Sequence, residues 1–563
     1  MIRRQRVLLL MVPALAIPAA LCIGPALVWG PLPVAGEPPR DDLVRIAGAA
    51  HVHTTLSDGA GAPEYVVREG RAAGLSFLVI TDHNTDAGRS LQGYRDGVLV
   101  LAGTEISTHR GHLLGLGMRP FSFRLARDAR KALDDVRYLG GTAFVAHPAS
   151  ARDDLAWNWE FDGPWGVEVL NMESLWRETS WFTLLGGLVA YPFNATYGLV
   201  NGLDRPDVVL SRWDTLLRRR NAAGLAGVDA HGFPSYRNLF RVLRNYVLLD
   251  SPLSGESERD AVAVLDALNR GRSYMAVEAL APAGGFFFHA VRGNDTWQMG
   301  DTVPPAPDLL LRAGGRLPKK ARIGLYRNGE RIAEGEDRLE FPARLPGAYR
   351  IEVSVAGWDL PWILSNPIYV YGGDEAAART ERGAWPVSAP PPPAARTLDT
   401  FADGSRLAAE SAGGTWVDPD VRVPSERTPG DTVARLHFRS AAPRPDPPSI
   451  WSALVDRSRR DLSRDTGLVF DIKADSVYRV WVGLWEARRD GVGDEPNWWL
   501  SSVRTSTEWR RHAIPFADLH PVQTDVGRSP DLRRVVGLVF YVDRDTYSHV
   551  TEGTIWFDRL GAY

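Results

Sequence analysis

The chain has 563 residues, 44% of them hydrophobic and 24% charged, with a formal net charge of −3. That length suits two to four globular domains, and so even a charge balance offers no field for a polyanion, so nucleic acid is not an expected partner. Cys22 is the single cysteine, which excludes a fold stapled by disulfides.

Arg3, Arg4 and Arg6 precede Val7 to Trp29, a run of 23 uncharged, mostly apolar residues. A basic start before such a run is the pattern of a secretory signal or an uncleaved membrane anchor over residues 1–36. Its length favours the anchor, Pro13, Pro18, Gly24 and Pro25 weaken a straight spanning helix, and Val34-Ala35-Gly36 offers a loose cleavage site. Either way the protein is expected to be exported, periplasmic or extracellular. Positive-inside orientation puts residues from 40 onward outside the cytoplasm.

The next segments repeat one construction, an apolar run that ends in histidine or acid. Ile46 to Ala50 leads into His51-Val52-His53, with Asp58 five residues on. Residues i and i+2 of a strand face one side, so His51 and His53 can aim two imidazoles at one point. Leu78 to Ile80 leads to Thr81-Asp82-His83, and Val100 to Thr104 leads to Glu105, with His112 close behind. Thr142 to Ala146 ends in His147-Pro148, where proline stops the strand, and Gly224 to Val228 ends in Asp229-Ala230-His231. Seven of the twelve histidines lie between 51 and 231, and all but His109 sit at these ends.

Singly, each residue has an ordinary explanation: a histidine after a strand is usually a hydrogen-bonded loop residue, and Asp58 in Ser-Asp-Gly is a turn residue. Jointly, five strand ends bearing histidine or acid, with helical stretches between, match the catalytic face of an α/β barrel. Imidazole with carboxylate is a ligand set for zinc, manganese or iron. No G-x-S-x-G elbow, P-loop or dinucleotide fingerprint competes.

Thr179 to Gly202 carries no charged residue and includes Trp181, Phe182, Leu184, Leu185, Leu188 and Tyr191. It reads as a helix pair packed on the barrel or as a lid that dips into a membrane. Ser257 to Arg270 has helical periodicity and stops at Gly271. Residues 280–372 turn β-rich, and Arg327-Asn328-Gly329-Glu330 is a strong hairpin signal; an immunoglobulin-like β-sandwich is expected. Residues 373–397 read as a linker stiffened by Pro390 to Pro393. Residues 398–563 predict a galactose-binding-like jelly roll rich in tryptophan. Its rings can form the sandwich core or bind a glycan, and fold analogy does not decide between them.

Over roughly residues 45–275 the motifs His51-x-His53 with Asp58, Thr81-Asp82-His83, Glu105, His112, His147-Pro148 and Asp229-x-His231 resemble the PHP (polymerase and histidinol phosphatase) superfamily. The resemblance implies a distorted seven-stranded β/α barrel with two or three divalent metal ions at its rim. It assigns His51, His53, Glu105 and Asp229 to one ion, and Glu105, His112 and His147 to a second. Asp58, His83 and His231 would surround a third. Asn171 is a candidate substrate-binding residue or a helix N-cap. Pro361 to Ile368 resembles the terminal motif of members related to carbaryl hydrolase.

Such ions acidify a shared water, giving a bridging hydroxide at neutral pH, and neutralise an anionic substrate. Asp229, His231 and His83 are the expected catalytic proton shuttles. The favoured function is hydrolysis of a small phosphomonoester or phosphodiester. Hydrolysis of a carboxyl ester, amide or carbamate is the alternative. A non-catalytic cell-surface binding protein comes third, because it would require broken ligands and none is missing.

Overall fold

The computed structural model describes residues 23–153, 155–157, 163–385, 390–402, 404–440, 450–488, 495–523, 527, 529–543 and 550–563. The basic start and most of the apolar N-terminal run, on which export was read, lie outside the described residues. Among the described residues no helix is long and apolar enough to cross a membrane. The chain forms two compact units, residues 1–120 with 129–386 and residues 121–128 with 387–563.

The first unit is built on seven strands. They are β1 (Val44–Val52), β2 (Phe77–Ile80), β3 (Val98–Thr108), β4 (Gly111–Leu116), β5 (Thr142–Val145), β6 (Gly166–Asn171) and β7 (Gly224–Ala230). They pair in that order, and β1 closes the ring on β7 through Ala50↔Gly227 and Val52↔Ala230. All are parallel except β4, which runs against both neighbours. The distortion of this barrel is that reversed strand. Both faces of the strands are covered, so Phe77 and Val79 join one apolar cluster while Leu78 and Ile80 join another. That double burial is why the strands read as continuous apolar runs.

Helices α1 (Pro63–Ala72), α2 (Ala129–Tyr138), α3 (Met172–Glu178), α4 (Trp181–Ala190), α5 (Ala195–Val200), α6 (Asp207–Arg219), α7 (Tyr236–Val242) and α8 (Ser257–Arg270) fill the connections. Gly271 ends α8 in the left-handed conformation, at φ 73°, as its sequence predicted.

The β-sheet does not stop at the barrel. The first half of β1 pairs with β8 (Leu243–Leu249), which pairs with β9 (Ser273–Val277). β9 then pairs with Ile363–Ser365, from the Pro361 to Ile368 run. One sheet of the β-sandwich is therefore an extension of the barrel sheet, and a four-stranded sheet containing Phe286–Arg292 faces it. Trp362 is fully buried between them and donates its indole N–H to the Ala281 carbonyl. The expected hairpin joins Arg322–Arg327 to Glu330–Gly335. Asn328 and Gly329 both have positive φ, 54° and 90°, the requirement of a tight I′-type turn.

The span expected as a linker opens with helix α9 (Gly373–Arg382). Buried Arg379 of α9 donates to the carbonyls of Leu217 and Arg218 at the end of α6. The second unit is a β-sandwich of the expected jelly-roll kind, with one seven-stranded and one six-stranded sheet. Trp485 and Trp499 are buried in it, whereas Trp451, Trp481 and Trp498 are only partly covered.

Candidate metal centre

The seven strands deliver their terminal side chains to one end of the barrel, and Glu105 stands at the centre. Its Oε1 lies 2.7 Å from His112 Nδ1 and 2.9 Å from His147 Nε2. Its Oε2 lies 3.0 Å from His51 Nε2, 3.1 Å from His53 Nε2 and 3.4 Å from His83 Nε2. Asp229 Oδ1 approaches the first pair from the opposite side, 3.3 Å from His51 Nε2 and 3.5 Å from His53 Nε2. Further out, Asp58 Oδ2 sits 3.4 Å from His231 Nε2 and 3.6 Å from His83 Nε2.

Donor atoms thus fall into groups tight enough for single ions. They are His51, His53, Glu105 and Asp229; His83, Glu105 and His112; and His53, Asp58, His83 and His231. Glu105 Oε1 faces His112 and His147 and Oε2 faces His51, His53 and His83, but the second group joins His112 with His83 where His147 was expected. His53 reaches the outer group as well, through its Nδ1, 3.3 Å from Asp58. A fourth group, Glu173 with Asp229 and His231, was not foreseen.

The donor set fits divalent cations. His147 Nδ1 is buried with no hydrogen-bond partner, an expensive state unless another ligand satisfies it, and His53 Nε2, close to Glu105 and Asp229, makes no well-aligned hydrogen bond to either. Burial works against charge on His51, but Asp229, Glu168 and Glu105 outweigh it and hold its pKa well above the usual histidine range. His53 is likewise opposed by burial and raised by Asp229 and Glu105, to about 9. Burial opposes charge on Glu105 too, but the surrounding imidazoles keep its pKa well below the ordinary carboxylate range. His83 goes the other way: burial lowers its pKa, with neighbouring His53 adding to the effect.

Backbone strain accompanies these positions. His51, His147 and Asp229 have φ of 63°, 28° and 51°, a region that costs a non-glycine residue about 1–3 kcal/mol. β1 loses regular register between Ala49 and Val52. His51 and His53 therefore converge through a kinked strand end and not by simple alternation along a flat strand.

A ring of braces fixes the ligands. His51 Nδ1 donates to Glu168 Oε1 at 2.7 Å, and the His147 backbone N–H donates to Glu168 Oε2 at 2.7 Å. Gly227 makes room for this carboxylate, because a Cβ there would lie 1.4 Å from Glu168 Oε1. Asp82 ties two loops together by accepting from Thr54 N and Oγ1 and from Ser57 Oγ.

Asn171, a candidate for contacting substrate, is buried and fully engaged. Its side-chain oxygen caps α3 through Ser174 N, and its amide donates to Glu168 and Asp229. The N-cap alternative describes it, because the end of β6 is also the start of α3.

A cleft of roughly 610 Å³ opens over the ligands, walled by Arg152, Leu155, Glu173, Trp176, Arg177 and Leu184 among others. Arg152, Glu173 and Arg177 carried no sequence signal, because they sit in loops and a helix whose distance from the strand ends only the fold sets.

No protein-family model matches the chain. A segment of 77 residues is 40% identical to a phosphoribosyl 1,2-cyclic phosphate 1,2-diphosphodiesterase of Eggerthella lenta, covering 12% of this chain and 29% of that protein. The chain thus spans less than a third of that relative. Another 140 residues are 28% identical to an uncharacterised protein of Methanocaldococcus jannaschii, covering 22% of this chain and 79% of that one.

Among solved structures, one similar chain is a two-domain protein from Bacteroides vulgatus containing a predicted PHP-like metal-dependent phosphoesterase. It is 14% identical with a TM-score of 0.29, covering 60% of this chain and 99% of that one. Another is a family 11 carbohydrate-binding module from Clostridium thermocellum, 18% identical with a TM-score of 0.25, covering 30% of this chain and 94% of that one.

Proposed function

We propose that the chain is an exported, metal-dependent hydrolase of the PHP type whose substrates are phosphoesters. The observation that carries this is Glu105, a buried carboxylate whose two oxygens each face a separate set of imidazoles. His51, His53 and Asp229 on one side of that carboxylate and His112 and His147 on the other would hold the cations. When bound, divalent ions there supply charge to hold a phosphoryl group and activate water for attack. Zinc, manganese and iron all suit this mixture of imidazole and carboxylate. The 40% identity to a cyclic phosphate diphosphodiesterase over 77 residues supports the phosphoester assignment.

The chain's own residues divide the remaining work. Arg152 and Arg177 on the cleft wall bring positive charge near an anionic substrate, Arg177 while its Nε donates to Glu173. His231 keeps a defined tautomer, its Nδ1–H donating to the Asp229 carbonyl at 3.1 Å. Its Nε2 lies 3.4 Å from Asp58 Oδ2 at the cleft, where it can exchange a proton only when it is not holding an ion. Burial lowers the pKa of His83 and favours its neutral form, which can accept a proton when it is not holding an ion. Asp229 is spent on His51, His53 and Asn171 and is better placed to hold than to shuttle.

A carboxyl ester, amide or carbamate hydrolase of the carbaryl-hydrolase-like group is the second reading, supported by the Trp362-centred motif that joins sandwich to barrel. The partly covered face bearing Trp451, Trp481, Trp498 and Tyr541 in the second unit supports glycan adhesion, testable by affinity electrophoresis in soluble polysaccharides.

Metal analysis of the purified protein, with assays on p-nitrophenyl phosphate, bis-p-nitrophenyl phosphate and naphthyl esters, separates the readings. Phosphate release with bound metal is the expected result. His53→Ala should abolish turnover while the circular dichroism spectrum is retained, and persistent activity would remove the site from consideration.

A further inference from the structure

We infer that the α4–α5 hairpin seats in the headgroup–acyl boundary of a lipid bilayer and presents the metal cleft to phosphoesters carried there. The second half of that statement rests on the phosphoesterase reading; the docking itself does not.

The outer surface of the hairpin is apolar without being covered. Trp181, Phe182 and Leu188 are 63%, 68% and 64% exposed, and Leu184, Leu185 and Phe193 are exposed beside them. α4 buries only Gly187 and Ala190. A contiguous patch of this kind marks an interaction surface. Trp181 and Phe182 lie ring against ring at its leading edge, with centroids 3.7 Å apart, and tryptophan is a favoured residue at the membrane–water boundary.

The hairpin is also rigid. A Cβ on Gly187 would lie 2.6 Å from Gly198 O, and a Cβ on Gly198 would lie 2.6 Å from Gly187 O. The two helices therefore meet backbone to backbone, the close contact that small residues allow between helices in lipid. Ser180 caps α4 and Asn194 caps α5, which fixes where each helix begins.

The occupant is indicated by what adjoins the patch. Asn194 Nδ2 donates to the carbonyls of Ala26 and Trp29, and the Trp29 ring packs on Tyr197 at 5.5 Å. These are the last residues of the 23-residue uncharged run. Leu27 and Val28, 66% and 87% exposed, continue the apolar surface from the hairpin to that run. A protein partner would ordinarily meet a polar rim around an apolar centre. Residues 179–202 supply no charge for such a rim, whereas a bilayer needs none. Leu184 of that exposed surface also lines the cleft, next to Trp176 and Arg177 of α3. An ester held at the bilayer surface would thus enter beside the wall that touches it.

The full chain carrying Cys22→Ser and Leu188→Cys, labelled with an environment-sensitive fluorophore, should shift to the blue on phosphatidylcholine–phosphatidylglycerol vesicles. Lipids brominated on the acyl chain should then quench it. No shift and no quenching would overturn the docking, as would a concentration-dependent blue shift without lipid, which would identify a second copy as the occupant.

The triple variant Trp181→Ser, Phe182→Ser, Leu188→Ser should lose about tenfold or more in hydrolysis of a phosphodiester lipid in vesicles, while bis-p-nitrophenyl phosphate turnover holds. Equal loss on both substrates would overturn the coupling of docking to catalysis. If the unaltered protein turns over neither substrate, the phosphoesterase reading fails, and fluorophore quenching still decides the docking.

Discussion

At the scale of single residues, the centre is a set of charges that proteins do not ordinarily bury unpaired. In the metal-free protein, His53 is held protonated by Asp229 and Glu105 up to about pH 9, against about 6.5 in an unfolded chain. That stabilisation is complete below pH 6.5 and is lost as pH rises through 9. The melting temperature of chelator-treated protein should therefore fall between pH 6.5 and 9, while metal-loaded protein should not follow it, as differential scanning fluorimetry across that range would show. Glu168 acts through His51 and His147, so Glu168→Gln should weaken metal binding about 10–100-fold, with soluble expression kept. Competition against a chromophoric chelator measures this, and unchanged affinity would reduce Glu168 to a packing residue.

At the scale of elements, α6 and the sandwich are joined by a buried ionic cluster. Arg350 donates to both oxygens of Asp214 on α6, at 2.8 and 2.7 Å, and to Glu352 at 2.6 Å. All three side chains are under a tenth exposed. Removing one partner from such a cluster strands the others, at a cost of about 3–5 kcal/mol. Arg350→Ala should show that loss in urea unfolding of the first unit. A change below about 1 kcal/mol would place the pairs with ordinary surface bridges.

This joint was hard to read ahead of time. The β-rich run Phe286 to Val291 and the Asn328-Gly329 turn marked a strand and a hairpin, because residue preference and turn chemistry are local. Nothing local says that Ile363–Ser365 pairs with Ser273–Val277, a partner some 90 residues back.

For the whole molecule, the two units own separate apolar cores, one around the barrel and sandwich and one around Phe470, Phe540 and Phe557. The ligands all lie in the first unit. Calorimetry of the full chain should give two transitions, with metal raising only one, since a ligand stabilises the unit that binds it. A single transition that moves as one with metal would show that the units unfold together.

The sequence by itself determined which residue types the strand ends carry. Histidine and carboxylate repeated at the ends of apolar runs make a ligand set that suits cations, and the strand runs announce a barrel because strands buried on both faces must be apolar throughout. Only the tertiary structure decided how those side chains converge. The left-handed backbone at His51, His147 and Asp229, the reach of Glu168 across Gly227, and the cleft positions of Glu173, Arg152 and Arg177 depend on distances between segments far apart in the chain. So does the exposure of the Trp181 to Leu188 face: the same apolar residues would read identically in a buried helix, and solvent exposure belongs to the packed molecule.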